Sequence, residues 1–346
     1  MTMKEELLRA VRDEINDYEQ TVNAILSFAA FVVHDGKSQR PGSEFGIGRR
    51  MTTSPDNSIS PSSDITPDLV AQKSQEYGIV AEAKKTLDQN QSNWNRHIKQ
   101  LRKYDDKLEG WWTEDEKIRH TDTIMLIHHS RSRPFARFLQ YKKGDDPDLV
   151  GPNICVVEFN HSVETVAYYF FRLEFGNIRD TELDQRLEDG IPIPLDDVRM
   201  SFPNIQFYDT KPPIPLLLSC LWTDVFSSRM EDGEYDEKTK SLKLKISASD
   251  ITVELQKAFG SKALKQDGRS GEFPKHKWVR EALERLIKYK LAAPCSGDND
   301  KYTIHYRSFR DDVLNRFIKF ELDLVKGDNK KGVSKKQISL FPNLDE

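Results

Sequence analysis

Within the stretch ITPDLVAQKSQEYGIVAEAKK, Asp68, Glu82 and Lys84 are the residue types that metal-assisted phosphodiester hydrolysis requires. Residues two apart on a strand point to the same side, so Glu82 and Lys84 share a face. With a hairpin turn centred near Ser74 and Gln75, Asp68 falls almost opposite Glu82. Two carboxylates and one ammonium then converge. Oxygen donors of this kind suit Mg²⁺, with Mn²⁺ as a substitute; the ion keeps several waters and takes the Ala83 carbonyl as a further donor. It polarises phosphate, lowers the pKa of water and relieves the repulsion of the two acids. Lys84 is left to orient the water or balance developing charge.

Positioning these residues requires a hairpin. Its strands are expected at Thr66 to Ala71 and Gly78 to Ala83, joined by the polar turn QKSQEY. Before it, Leu7, Leu8, Val11, Ile15, Tyr18, Val22, Ile25 and Leu26 recur at helical spacing, predicting a long amphipathic helix from Met3 to about His34. A Gly-, Ser- and Pro-rich loop follows, with one short strand at Phe45 to Arg49. After the hairpin come a helix from about Ser92 to Leu108, a strand at 123 to 129, a basic helix from Arg133 to Tyr141, and strands at 154 to 159 and 166 to 175. This order predicts an α/β domain, a mixed sheet flanked by helices, over residues 1 to 178.

Sixteen residues beyond Lys84, Gln100 and Tyr104 stand four apart on the expected helix, on one face. Pro67-Asp68, then Glu82-x-Lys84, then Gln100-x-x-x-Tyr104 resembles, in that order, the PD-(D/E)XK nuclease superfamily and its RecB-like branch. The resemblance covers roughly residues 1 to 175 by element order. It implies a restriction-endonuclease-like fold, with Asp68, Glu82, Lys84, Gln100 and Tyr104 in the catalytic site. It also implies an additional upstream acid, for which Glu44 is the candidate. Adjacent His128 and His129 face opposite sides of a strand and are read as packing or surface residues.

The whole chain has 346 residues, 37% hydrophobic and 31% charged, with a net charge of −4. That composition is globular, and the length favours two cores. No run reaches the roughly 20 apolar residues of a membrane span, and no secretory pattern opens the chain, so a cytoplasmic protein without membrane contact is expected. Cys155, Cys220 and Cys295 lie far apart and signal neither disulfides nor zinc. The GIGRR glycines lack a dinucleotide fingerprint, and no Gly-rich Lys-Ser/Thr phosphate loop exists for ATP hydrolysis.

The acidic stretch from 179 to 211 reads as a linker. Beyond it, helices at about 213 to 229, around Asp250 to Phe259, and from Pro274 to Lys290 precede strand-like LAAP and KYTIHYR. Over 212 to 325, closed by an apolar helix from Phe309 to Val325, this pattern resembles a winged helix-turn-helix module, with Lys275, Lys277 and Arg280 as DNA contacts. Residues 326 to 346 are polar, lysine-rich and read as disordered. Within them Gln337, Ile338, Ser339, Leu340 and Phe341 resemble the bacterial sliding-clamp-binding pentapeptide.

The expected function is Mg²⁺-dependent cleavage of DNA, in antiviral defence and restriction or in replication-linked repair. Expected partners are DNA, the sliding clamp, and a second copy of the chain or a partner ATPase. Two alternatives stand beside it: a non-catalytic DNA-binding regulator on a nuclease-fold scaffold, and an RNase.

Overall fold

The computed structural model describes residues 3–33, 44–49, 51–53, 64–84, 87, 91–104, 108–112, 118–145, 150–151, 153–162, 168–201, 206–208, 210–237, 240–259, 273–309 and 312–330. The chain divides into two compact units. One comprises residues 19–210 and 258–273, and the other residues 1–18, 211–257 and 274–346. Helix α1 (Met3–Val33) contributes to both.

The first unit is built on a mixed sheet of seven strands: β1 (Glu44–Ile47), β4 (Leu69–Gln72), β5 (Tyr77–Lys84), β7 (His120–His128), β8 (Ile154–Ser162), β9 (Tyr168–Phe175) and β10 (Ile191–Pro194), in the spatial order β1-β4-β5-β7-β8-β9-β10. Only β5, β7 and β8 run parallel. Parallel neighbours need crossovers, and these carry α2 (Gln91–Leu101) and α3 (His129–Asp145). Both helices cover one face. Trp94, Ile98 and Leu101 of α2 and Phe135, Phe138 and Leu139 of α3 share a core with Val70, Val80, Met125, Ile127, Ile154 and Val156. Trp94 meets Phe138 edge-on at 5.1 Å. Fully burying such a side chain contributes about 1.5–3 kcal/mol.

The opposite face is covered by the later turns of α1, where Phe28 lies 5.4 Å from Phe171 and Tyr169 donates to the Gln20 carbonyl. Helix α4 (Thr181–Asp189), capped by Asp180, joins this layer, with Arg186 over Phe31. The result is an α/β unit with helices on both faces of the sheet. Small strands β2 (Met51–Thr53), β3 (Asp64–Ile65) and β6 (Leu108–Glu109) form a separate three-stranded sheet.

Residues 179–201, which the sequence suggests as a linker, instead add α4, β10 and α5 (Leu195–Ser201) to this unit. Strand β10 pairs with β9 through Ile191 and Ile193 despite two prolines, as an edge strand permits.

In the second unit, α6 (Ile214–Cys220) passes through a π-helical turn at Leu221–Val225 into α7 (Phe226–Ser228). A four-stranded antiparallel sheet, in the order β11-β12-β14-β13, is made by β11 (Glu234–Asp236), β12 (Ser241–Ser247), β13 (Ala292–Pro294) and β14 (Lys301–Tyr306). Strands β11 and β12 were not expected from the sequence. Helices α8 (Ala248–Phe259) and α9 (His276–Lys288) stand between β12 and β13. The last helix, α10 (Val313–Lys330), starts later than expected and runs into the segment read as tail. Trp222 anchors the core, stacked on Phe309 at 4.9 Å and donating to the Arg307 carbonyl. Val11 and Ile15 pack with Ile318 and Leu322. Among the described residues, no helix is long and apolar enough to cross a membrane.

Candidate active site

Strand register brings the three central residues together. Leu69 pairs with Ala81 and Val70 with Val80, and the same register sets Asp68 opposite Glu82. Strand β4 begins only at Leu69, because Pro67 lacks the N–H a ladder requires. Asp68 is fixed from two sides. Its backbone carbonyl accepts from Gly48 N–H at 2.9 Å, and its Oδ2 accepts from Ala83 N–H at 2.7 Å. Gly48 has φ +58°, and a Cβ there would sit 2.3 Å from the Phe273 ring. Glycine is required on both counts.

Asp68 and Glu82 are each only 3% exposed. Lys84 Nζ lies 3.5 Å from Glu82 Oε2, with its side chain 31% exposed. Tyr104 donates its hydroxyl to Glu82 Oε1, and Gln100 Nε2 lies 3.4 Å from that hydroxyl. Burial pushes the Glu82 carboxyl up to about 7, helped by the charge of Asp68 and opposed by Lys84 and the Tyr104 hydrogen bond. Burial and the adjacent Glu82 charge push the Tyr104 hydroxyl above its ordinary range, so it remains a donor.

The route to Tyr104 differs from the expected one. Helix α2 stops at Leu101 rather than Leu108, and Tyr104 stands in the turn beyond it. Its N–H donates to the Leu101 carbonyl, while its own carbonyl accepts from Thr123 Oγ1 at 2.6 Å and Asn153 Nδ2 at 3.2 Å. Those two bonds hold the turn against β7 and aim the ring at Glu82.

Glu44 is not brought to the cluster. Its backbone pairs with Gln72, at the far end of β4 from Asp68, roughly 13 Å along the strand. His97 was missed. It lies one turn before Gln100 on α2 and is held near 4 by burial first, then by the charges of Lys84 and Arg96. Its Nδ1 is buried without a hydrogen bond. The i, i+3 spacing to Gln100 is the signal that points to it.

Two buried carboxylates and one ammonium leave a net negative charge away from water, and burial makes an uncompensated charge costly. A divalent ion would remove that cost, and the oxygen donors suit Mg²⁺ or Mn²⁺. Among the described residues, no group of three or more His, Cys, Asp or Glu side chains is placed to hold a metal. The fit therefore rests on the Asp68–Glu82 pair with a backbone carbonyl, which leaves positions for water and phosphate.

In the second unit, Lys275 precedes α9 and lies 5.4 Å from the Trp278 ring. Lys277 is exposed, and Arg280 is 3.9 Å from Glu284. Helix α9 is four residues shorter than the stretch from Pro274 to Lys290, two at each end. Residues 337 to 341 lie outside the described residues. Comparisons with protein families, with curated proteins and with solved structures return no match.

Proposed function

We propose that this chain is a divalent-metal-dependent nuclease acting on DNA phosphodiester bonds. The observation that carries the reading is the Asp68–Glu82 pair, buried and facing across β4 and β5, with Lys84 as its neighbouring cation. Mg²⁺ or Mn²⁺ would be held by Asp68, Glu82 and the Ala83 carbonyl. When bound, the ion supplies Lewis-acid polarisation of the phosphate and activation of water.

The chain's own residues do the rest. Ala83 N–H and Gly48 N–H fix Asp68, while Tyr104 fixes one oxygen of Glu82 and leaves the other toward Lys84. The Lys84 ammonium, partly exposed, meets the phosphate and offsets the charge that builds up during attack. Gln100 orders the Tyr104 hydroxyl. Glu82 works ionised, so protonation of its carboxyl at low pH abolishes activity.

The second unit is proposed as a winged-helix DNA-binding module. Its element order supports this: α8 and α9 stand between β12 and β13, with β14 paired between those two strands. Lys275, Lys277 and Arg280 on and before α9 would meet phosphates.

The test is incubation of the purified chain with circular and linear DNA, and with RNA in parallel, in Mg²⁺, Mn²⁺ or chelator. Metal-dependent DNA cleavage lost in Glu82→Gln is expected. Equal cleavage by wild type and Glu82→Gln overturns the site, and absence of cleavage with every metal and substrate overturns the function. Cleavage confined to RNA redirects it to an RNase.

A further inference from the structure

Helix α3 starts at the end of the strand beside β5 and carries exposed cations along its length, with Arg133 reaching Glu174 on β9. Lys84 pairs with Ile127 on the neighbouring strand, about 4.8 Å away. Strand β7 ends one residue later, at His128, and α3 begins directly at His129 without a loop. Phe135, Ala136, Phe138 and Leu139 turn into the core, which leaves His129, Arg133, Arg137 and Tyr141 exposed at four-residue spacing. These four form one stripe, about 18 Å long at 1.5 Å per residue.

The stripe is strongly biased in charge. From His129 to Gly144 the helix contains Arg131, Arg133, Arg137, Lys142 and Lys143 and no acidic residue until Asp145. Arg133 lies 3.8 Å from Glu174, but Glu174 already receives Nε and a terminal nitrogen of Arg172 at 3.2 and 3.0 Å. Arg172 also meets Glu158 at 2.6 Å, so Arg133 shares in balancing Glu174, yet the Arg133 side chain is 66% exposed and remains open to a phosphate. Tyr141 is 65% exposed, with Lys142 Nζ 5.9 Å from its ring and Asp145 bonded to its hydroxyl. Large aromatic surface is ordinarily turned inward, and here it stands in water among cations.

We infer that the Arg133–Arg137–Tyr141 stripe of α3 is the track for a single nucleic-acid strand leading to Asp68, Glu82 and Lys84. The inference deepens the nuclease reading and rests on it. The cations meet phosphates, while Tyr141 offers a flat face for a base at the far end. Bases inside a duplex are already stacked on one another, so an exposed aromatic in a basic track selects an unpaired strand.

The test separates the track from the chemistry. Fluorescence anisotropy with oligo-dT and with duplex DNA, in chelator and across a salt series, is read for the full chain and for Arg133→Ala/Arg137→Ala. Oligo-dT affinity should fall at least tenfold, and the salt slope by roughly 1.4 for two lost phosphate contacts. Arg133→Lys/Arg137→Lys should restore most of both. Tyr141→Ala should weaken oligo-dT binding about fivefold or more while leaving duplex binding unchanged. The same variants placed on Lys275→Ala/Lys277→Ala/Arg280→Ala keep the second unit from masking the effect. Turnover of bis(4-nitrophenyl) phosphate, too small to reach α3, should be unchanged by all stripe variants. Unchanged oligo-dT affinity and slope in both backgrounds overturn the track, and equal losses for duplex overturn its single-strand assignment. Inertness toward every phosphodiester, with the stripe effect intact, overturns the nuclease reading and leaves the track standing.

Discussion

A tyrosine donates its hydroxyl to a buried glutamate in each unit of this protein, and the two arrangements differ in charge. In the second unit, Tyr289 donates to Glu321, and Arg285 Nε lies 3.2 Å from the same carboxylate oxygen. In the first, Tyr104 donates to Glu82, Lys84 stands at 3.5 Å, and a second buried acid, Asp68, faces the pair. Glu321 therefore has a guanidinium in direct contact, as a structural ion pair does. The Asp68–Glu82 pair has the partly exposed Lys84 ammonium beside Glu82. A second buried acid without a guanidinium in contact, held where β4 begins and β5 ends inside the sheet, is the feature that separates the candidate site from a brace.

The largest expected effect breaks this comparison directly. Asp68→Ala, Glu82→Ala and Lys84→Ala should each lower cleavage by orders of magnitude, since each lost 1.36 kcal/mol of transition-state stabilisation is tenfold in rate. Their folds should persist. Glu321→Ala should do the reverse, costing about 3–5 kcal/mol of stability by leaving Arg285 uncompensated. Chemical denaturation and initial cleavage rates, measured on the same samples, decide the comparison. A Glu321 variant that unfolds no more easily than wild type overturns its role as a brace.

A smaller effect is expected at Tyr104. Its hydrogen bond favours the ionised form of Glu82, so Tyr104→Phe raises the Glu82 pKa further. Activity should then need higher pH, with the acid limb of the rate profile displaced upward and the maximal rate reduced about tenfold. Tyr289→Phe should leave that limb where it is. A limb unmoved in Tyr104→Phe would detach Tyr104 from the chemistry.

The stability of the metal-free protein sharpens the contrast. Glu82 is raised from 4.5 to about 7 in the fold, so its contribution is fully present below about pH 4.5 and is lost as pH rises through 7. Glu14 is likewise raised to about 7, by burial first, so it adds a parallel decline. The informative quantity is wild type minus Glu82→Gln. Melting in chelator should show wild type losing ground to Glu82→Gln between about pH 5 and 8, and Mg²⁺ should reverse that loss. Parallel curves would assign the whole decline to Glu14 and other groups.

Gly48→Ala is expected to have the mildest effect. Crowding the Phe273 ring and forcing a positive φ should cost about 1–3 kcal/mol. Because Gly48 N–H holds the Asp68 carbonyl, cleavage should fall several-fold at a temperature where folding is complete. Stability loss with full activity would show that Asp68 is held by Ala83 alone.

The Asp68–Glu82 facing was legible because a polar turn fixed the hairpin register and proline fixed the start of β4. Tyr104 was legible as a residue but not by its route. The bonds that end α2 early and hold the turn come from Thr123 and Asn153, 19 and 49 residues away, and local periodicity carries no trace of them. The misplacement of Glu44 has the same origin, since only the pairing of β1 with β4 decides which end of the strand it occupies. Strand β12 was legible and went unread: Leu242, Leu244 and Ile246 alternate with polar residues. Residues 179–201 read as a linker because they are acidic and proline-bearing, yet Ile191 and Ile193 add an edge strand that Pro192 and Pro194 tolerate.

The most direct test of the central claim is Mn²⁺ binding measured by electron paramagnetic resonance on wild type, Glu82→Gln and Glu321→Gln under identical conditions. The Asp68–Glu82 account predicts binding that is shared by wild type and Glu321→Gln and lost in Glu82→Gln. Equal binding by wild type and Glu82→Gln, or none by wild type, would contradict it.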